Sequence, residues 1–196
     1  MKEFSEKSNQ SILLVVDFIN DIVSPLSKLG RCAIHAAERG AMDKANQAIA
    51  WARTKNILIA HVKVGFSDDY SECPLYSPVF SKAPELNVFK LSTWGCEFHE
   101  RINIEPQDKI IIKHRISAFY GTDLEVVLRA RGITKIYLLG VSTNMAIELT
   151  AREAHDRDYS VVILQDACAS YDELTHQQSI SVLSKIADIK LVGDLQ

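Results

Sequence analysis

An acid, a cation and a donor-rich turn each follow an apolar run in this chain. Asp17 comes directly after Ile12-Leu13-Leu14-Val15-Val16, and Lys113 directly after Ile110-Ile111-Ile112. The turn at 140–146 follows Ile136-Tyr137-Leu138-Leu139. A carboxyl group can give or take a proton in a reaction, and an ammonium beside it can hold negative charge as it develops. In the turn, Gly140 and Ser142-Thr143-Asn144 precede a helix-like pattern carried by Met145, Ile147, Leu149 and Ala154. A strand that bends sharply into a helix leaves backbone N–H groups free to meet an oxyanion. A nucleophile at the first helical residues would be well placed. Met145 and Ala146 stand there, and neither has an atom that can attack a carbonyl. The chain has the outline of an acyl-transfer site without its nucleophile.

The elements that must position these groups are legible as short apolar runs alternating with amphipathic segments. The runs cover residues 12–16, 57–62, 109–112, 135–139, 160–164 and, more weakly, 189–192. Helical patterns occupy about 33–54, 123–131, 145–156 and 173–187. Continuous apolar strands separated by helices imply a parallel sheet covered on both faces. The expected fold is therefore α/β, a three-layer α/β/α sandwich around a six-stranded, mainly parallel sheet with right-handed crossovers. Thr122 or Asp123 suits the N-cap of the helix beginning DLEVVL, and Gly132 suits the C-cap after Arg129-Ala130-Arg131. In such a sheet, ligands bind beyond the carboxyl ends of the strands, where Asp17, Lys113 and the turn all fall. Alone, Asp17 reads equally as a helix cap or ion-pair partner and Lys113 as a strand flank; their convergence on the turn gives them weight.

Residues 65–107 break this rhythm, being long, irregular and rich in Pro, Ser and aromatic residues. A loop of that length is expected to be a lid, a subunit contact or an ordered surface crossover.

At 196 residues the chain supports one sizeable core and one domain. A net charge of −3 argues against nucleic acid or an anionic membrane as the main partner. No apolar run reaches the roughly 18–20 residues of a membrane span. The polar start MKEFSEKSNQ does not resemble a signal peptide. Cys32, Cys73, Cys96 and Cys168 are scattered, as free thiols of a cytoplasmic protein would be.

The segments LLVVDFIND, DKIIIKHRISAF with GTDL, GVSTNMAIELTAREAHDRDY and VVILQDACAS, with His176 ahead of the last helix, together resemble the isochorismatase-like hydrolase superfamily over nearly the whole chain. That superfamily holds isochorismatases, nicotinamidases and N-carbamoyl amide hydrolases. Its cysteine hydrolases use an Asp–Lys–Cys triad, and the resemblance assigns Asp17 and Lys113 to the first two members. It places Ala146 where the cysteine stands. It also implies a cis peptide between Val141 and Ser142, with both residues and the Ala146 amide in the substrate cradle, and a homo-oligomer, dimer or tetramer. Three readings follow: a hydrolase of a small metabolite with Asp17 as general acid/base and no covalent cysteine step; a C–N amide or N-carbamoyl hydrolase whose nucleophile was replaced, by engineering or natural loss; and a silent small-molecule binder.

Further candidates surround the triad. Phe18, Trp94 and Phe119, with Tyr120, could wall a cyclic substrate, although aromatic residues are more often core. Arg115 is either a carboxylate clamp or a strand-end surface residue. Asn20 could orient Asp17 or a water. Cys168 is expected to pack behind the site, and Cys96 lacks a placed base. Nicotinamidases carry a metal on Asp and two His after the second strand, whereas here His61 is followed by no histidine until His99. No metal and no cofactor are therefore expected, and no nicotinamidase activity. Glu148 and Arg152 suit an intrahelical pair.

Overall fold

The computed structural model describes residues 10–196, and the polar start read above lies almost wholly outside them. Strands β1 (Ser11–Val16), β2 (Leu58–Val64), β3 (Lys109–Lys113), β4 (Lys135–Val141), β5 (Ser160–Ala169) and β6 (Asp188–Lys190) form one sheet in the order β3-β2-β1-β4-β5-β6. Every neighbouring pair is parallel. The apolar runs do this because both faces are covered: Ile12 to Val16 of β1 are essentially inaccessible. Each aliphatic side chain so buried contributes about 1.5–3 kcal/mol.

The helices are α1 (Asn20–Val23), α2 (Ala33–Glu38), α3 (Ala41–Thr54), α4 (Ala83–Leu86), α5 (Leu124–Ala130), α6 (Glu148–Asp156) and α7 (Glu173–Leu183). Helix α3 buries Ala45, Ala48, Ile49 and Ala52, spaced at i, i+3, i+4 and i+7, so a stripe of mostly small residues lies against the sheet. Right-handed crossovers put α3 on one face and α5, α6 and α7 on the other.

Local differences from the sequence reading have local causes. The single helix expected over 33–54 is two, because Gly40 adopts φ 60 and breaks the pattern between α2 and α3. Strand β5 runs to Ala169 rather than ending at 164. Between the pairs Leu138↔Ile163 and Gly140↔Cys168, β4 advances two residues and β5 five. That irregularity makes Cys168 a strand residue. The helix expected over 145–156 is preceded by a π-helical turn, Thr143–Ile147. At α5, the Thr122 hydroxyl accepts from the Leu124 amide (3.2 Å), while Asp123 pairs with Lys109 (2.6 Å) instead of capping.

The segment over 65–107 is ordered around its own core of Phe66, Cys73, Phe80, Val88, Phe89 and Cys96. The bridge Phe66↔Lys90 closes the segment on itself, and the bridge Ile19↔Phe98 ties it to the chain after β1. It is a wall of the molecule rather than a loose flap.

Candidate active site

Strand order reverses across β1 and β4, since the chain moves outward from β1 to β2 and β3 and then returns to β4. A crevice beyond the carboxyl ends is expected at that point. A cavity of about 340 Å³ lies there, and Asp17, Val64, Lys113 and Val141 all line it. Val64, Lys113 and Val141 are the last residues of β2, β3 and β4, and Asp17 directly follows β1. Four strand ends therefore deliver one residue each to the same space.

Asp17 leaves its strand in the left-handed region, φ 59, which a non-glycine residue adopts at a cost of about 1–3 kcal/mol. Its amide donates to the Val62 carbonyl (2.8 Å), and Oδ1 accepts from the Val64 amide (2.8 Å). Oδ2 lies 2.7 Å from Lys113 Nζ, and Nζ also donates to the Arg115 carbonyl (3.2 Å). The Asp17 and Lys113 side chains are 4% and 1% exposed. Burial pushes the Asp17 carboxyl above its ordinary value, outweighing the Lys113 ammonium and the Val64 amide, which act to lower it.

The Val141–Ser142 peptide is cis. Val141, Ser142, Asn144, Met145 and Ala146 line the cavity, and Ala146 is 4% exposed. Helix α7 and the end of β5 hold this turn from behind. His176 Nδ1 lies 2.8 Å from Thr143 Oγ1, Ser179 Oγ donates to the Thr143 carbonyl (3.2 Å), and Ser170 Oγ donates to Asn144 Oδ1 (2.7 Å). Burial, then the charge of Arg39, holds His176 down at about 4, so it stays neutral.

With that geometry in view, the isochorismatase domain model matches residues 11–190. The chain belongs to the isochorismatase family. It is 35% identical over 162 residues to the isochorismatase family protein YecD of Escherichia coli O157:H7, covering 82% of this chain and 84% of that one. It is 31% identical over 173 residues to ureidoacrylate amidohydrolase RutB of Methylorubrum extorquens, covering 82% and 70%. The structure of an isochorismatase family protein from Desulfovibrio vulgaris superposes with a TM-score of 0.85 at 22% identity, over 95% of this chain and 96% of that one.

Of the residues singled out in this family member's sequence, the fold brings Asp17, Lys113, Val141, Ser142 and Ala146 together. Phe18, Asn20, Trp94, Arg115, Phe119 and Tyr120 lie outside the cavity lining. Phe18 is fully buried, because the left-handed turn at Asp17 swings the next side chain into the main core. Asn20 spends its amide on the Trp94 carbonyl (2.8 Å), and Trp94 is 47% exposed on its surface turn. Arg115 donates to the Glu72 and His114 carbonyls (2.8 and 2.6 Å) and lies over Tyr120. Phe119 stacks on Tyr159 beneath Arg157. The aromatic wall comes instead from Phe80, Phe89 and Tyr171.

Asp21, Arg31 and Cys32 also line the cavity and escaped the sequence reading. Their signal was position alone, since 18–32, which holds the short helix α1, leaves β1 at the carboxyl end of the sheet. Asp21 accepts from the Phe89 amide (2.7 Å) and Ser27 Oγ (3.0 Å), pinning the irregular segment to that loop. His61, read against a nicotinamidase metal site, instead sets Nε2 3.2 Å from Asp108. No group of three or more His, Cys, Asp or Glu side chains suited to a metal occurs among the described residues. Glu148 and Arg152 pair within α6 (3.0 Å).

Cys32 brings a thiol into the cavity, but burial and the Asp17 charge push it up to about 12. Burial likewise lifts Cys168 to about 12 and Cys96 to about 11, and raises Cys73. Thiolate is the reactive form, so all four should resist iodoacetamide in the folded protein at pH 7.5 and label fully in denaturant. Rapid native labelling of Cys32, read by mass spectrometry, would contradict this.

Proposed function

We propose that this family member hydrolyses a small metabolite without a covalent cysteine step, with Asp17 as general acid/base. The observation that carries the reading is the buried Asp17–Lys113 pair opening onto the same cavity as Ala146, the position we assign to the cysteine of related hydrolases. A raised carboxyl pKa keeps a proton available to give, as cleavage of a vinyl ether requires. Asp17 protonates the vinyl carbon, water adds to the resulting cation and returns a proton to Asp17, and the hemiketal breaks into alcohol and keto acid. Lys113 stabilises the carboxylate while it is ionised, and the Val141–Ala146 backbone cradles the substrate oxygen. No helix among the described residues is long and apolar enough to cross a membrane, and the four cysteines are free, which supports a cytoplasmic location.

Asp17→Asn should lower turnover of isochorismate by roughly 10²–10⁴-fold, the usual worth of a general acid. A wild-type protein that leaves isochorismate intact removes the vinyl-ether reading. The resemblance to ureidoacrylate amidohydrolase supports a second reading, a C–N hydrolase that lost its nucleophile. Hydrolysis of ureido compounds by Ala146→Cys, absent in the wild type, would establish it. Ligand-dependent thermal stabilisation without product from either panel would leave a silent binder.

A further inference from the structure

The cavity wall carries four charged side chains: Asp17, Asp21, Lys113 and Arg31. Lys113 is spent on Asp17, and Asp21 is satisfied by a backbone amide and a hydroxyl. Arg31 differs from them, having no hydrogen bond or ion pair among the described residues. It is exposed in the loop between α1 and α2, while both carboxylates are buried. The loop conformation behind it is constrained. Gly30 has φ 22, and a Cβ there would stand 2.8 Å from the Ser24 carbonyl oxygen, so a side chain could enter only by moving backbone. Ser27 Oγ donates to Asp21 and Lys28 Nζ to the Leu86 carbonyl (2.9 Å), fastening the same loop to the body.

Apart from these charged groups the lining is largely apolar, including Ile22, Leu29, Phe80, Phe89 and Ile116. A ligand entering this space meets one bare guanidinium, whereas the two carboxyl groups already have partners. We propose that Arg31 binds a carboxylate of the substrate, and that the substrate is a small carboxylic acid whose reacting group faces Asp17. The assignment rests on the reading that this cavity is the active site. Guanidinium and carboxylate match as a two-bond fork, and Asp17 and Asp21 disfavour an anion placed beside them. Arg31 is thus a specificity-determining residue, fixing which end of the molecule reaches the proton donor.

The probes are 3-ureidopropionate, ureidoacetate and 2-methoxyacrylate, each measured against its own primary amide by calorimetry. The wild type should bind at least one acid roughly 10- to 100-fold more tightly than its amide, the range for a charged hydrogen-bonded pair. Arg31→Gln should bring that ratio close to one, and Arg31→Lys should keep part of it. Because Arg31 is exposed and unpaired, both variants should melt as the wild type does. Asp17→Asn should abolish turnover yet keep the acid preference, which separates failure of the catalytic reading from failure of this one. The proposal is overturned if no acid binds, if acids and amides bind alike, or if Arg31→Gln retains the preference.

Discussion

Lys113→Met is expected to cost roughly 3–5 kcal/mol of stability at pH 8, because it strands a buried carboxylate. Asp17 would keep only the Val64 amide as a partner in a site that water barely reaches. The sign of the pH dependence follows from proton counts. Burial already raises the Asp17 carboxyl above its ordinary 3.8, so between that value and the raised one the folded state holds more protons than the unfolded. Stability from this group is therefore greatest below 3.8 and falls as pH rises through the folded value. Removing the ammonium extends that window upward. The gap between variant and wild type should be narrow near pH 4 and widest at pH 8. His61 and His176, both lowered from 6.5, act in the opposite direction, with stability lost as pH falls below 6.5. They are common to both proteins and cancel in the difference. Urea denaturation at pH 5 and pH 8 measures the gap; one below 1 kcal/mol, or one that does not change with pH, would mean that the pair is not buried as described. Asp17→Asn combined with Lys113→Met should recover most of the loss, since a neutral replacement of a buried pair is often well tolerated.

The same pair explains how one site can hold acid and cation together. The ammonium is too buried to serve as a general attractor for anions, and its charge is spent on Asp17. Attraction of an anionic substrate falls to the solvent-facing Arg31, leaving Lys113 to steady the carboxyl after its proton has gone. Support of proton transfer and recognition of an anion are thereby assigned to different cations, Lys113 and Arg31, that line one cavity.

The strands and the three chemical groups were readable in sequence because each reported itself locally. An apolar run ends, a charged residue follows, and a rule about parallel sheets places all such ends together. Asp17, Lys113 and Ala146 share the cavity for that reason. The second ring was not readable, because side-chain direction there depends on backbone turns with no compositional mark. Phe18 illustrates this: one residue at φ 59 sends it into the core. Phe80 and Phe89 reach the cavity from the irregular segment, while Trp94 in the same segment faces solvent. Nothing in the aromatic spacing separates them. Arg31 and Arg115 show the same limit for charge: the arginine beside the strand end is tied to backbone carbonyls, and the one in the loop is free.

Gly140→Ala should be the most damaging small substitution in the molecule. Gly140 sits opposite Val16 in the β1–β4 pairing, with φ 129, a region that side chains rarely enter. A Cβ there would lie 2.1 Å from the Val16 carbonyl oxygen and 2.8 Å from its carbonyl carbon and nitrogen. Those are backbone atoms of Val16, itself fully buried, so no rotamer change relieves the clash. Either β1 and β4 separate or Gly140 leaves its conformation, and each course disturbs a neighbour that matters: Asp17 follows Val16, and the Val141–Ser142 cis peptide follows Gly140. A cost of at least about 4 kcal/mol is expected, in the range reserved for forced overpacking and forbidden backbone geometry. For a chain of this size that lowers the melting temperature by roughly 8–16 °C, or leaves the protein insoluble on expression. Calorimetry on the purified variant decides the matter. A variant within 1 kcal/mol of the wild type would show that β1 and β4 have slack at this point. The contact that brings Asp17 beside the turn would then be far less rigid than the geometry requires for aligned proton transfer.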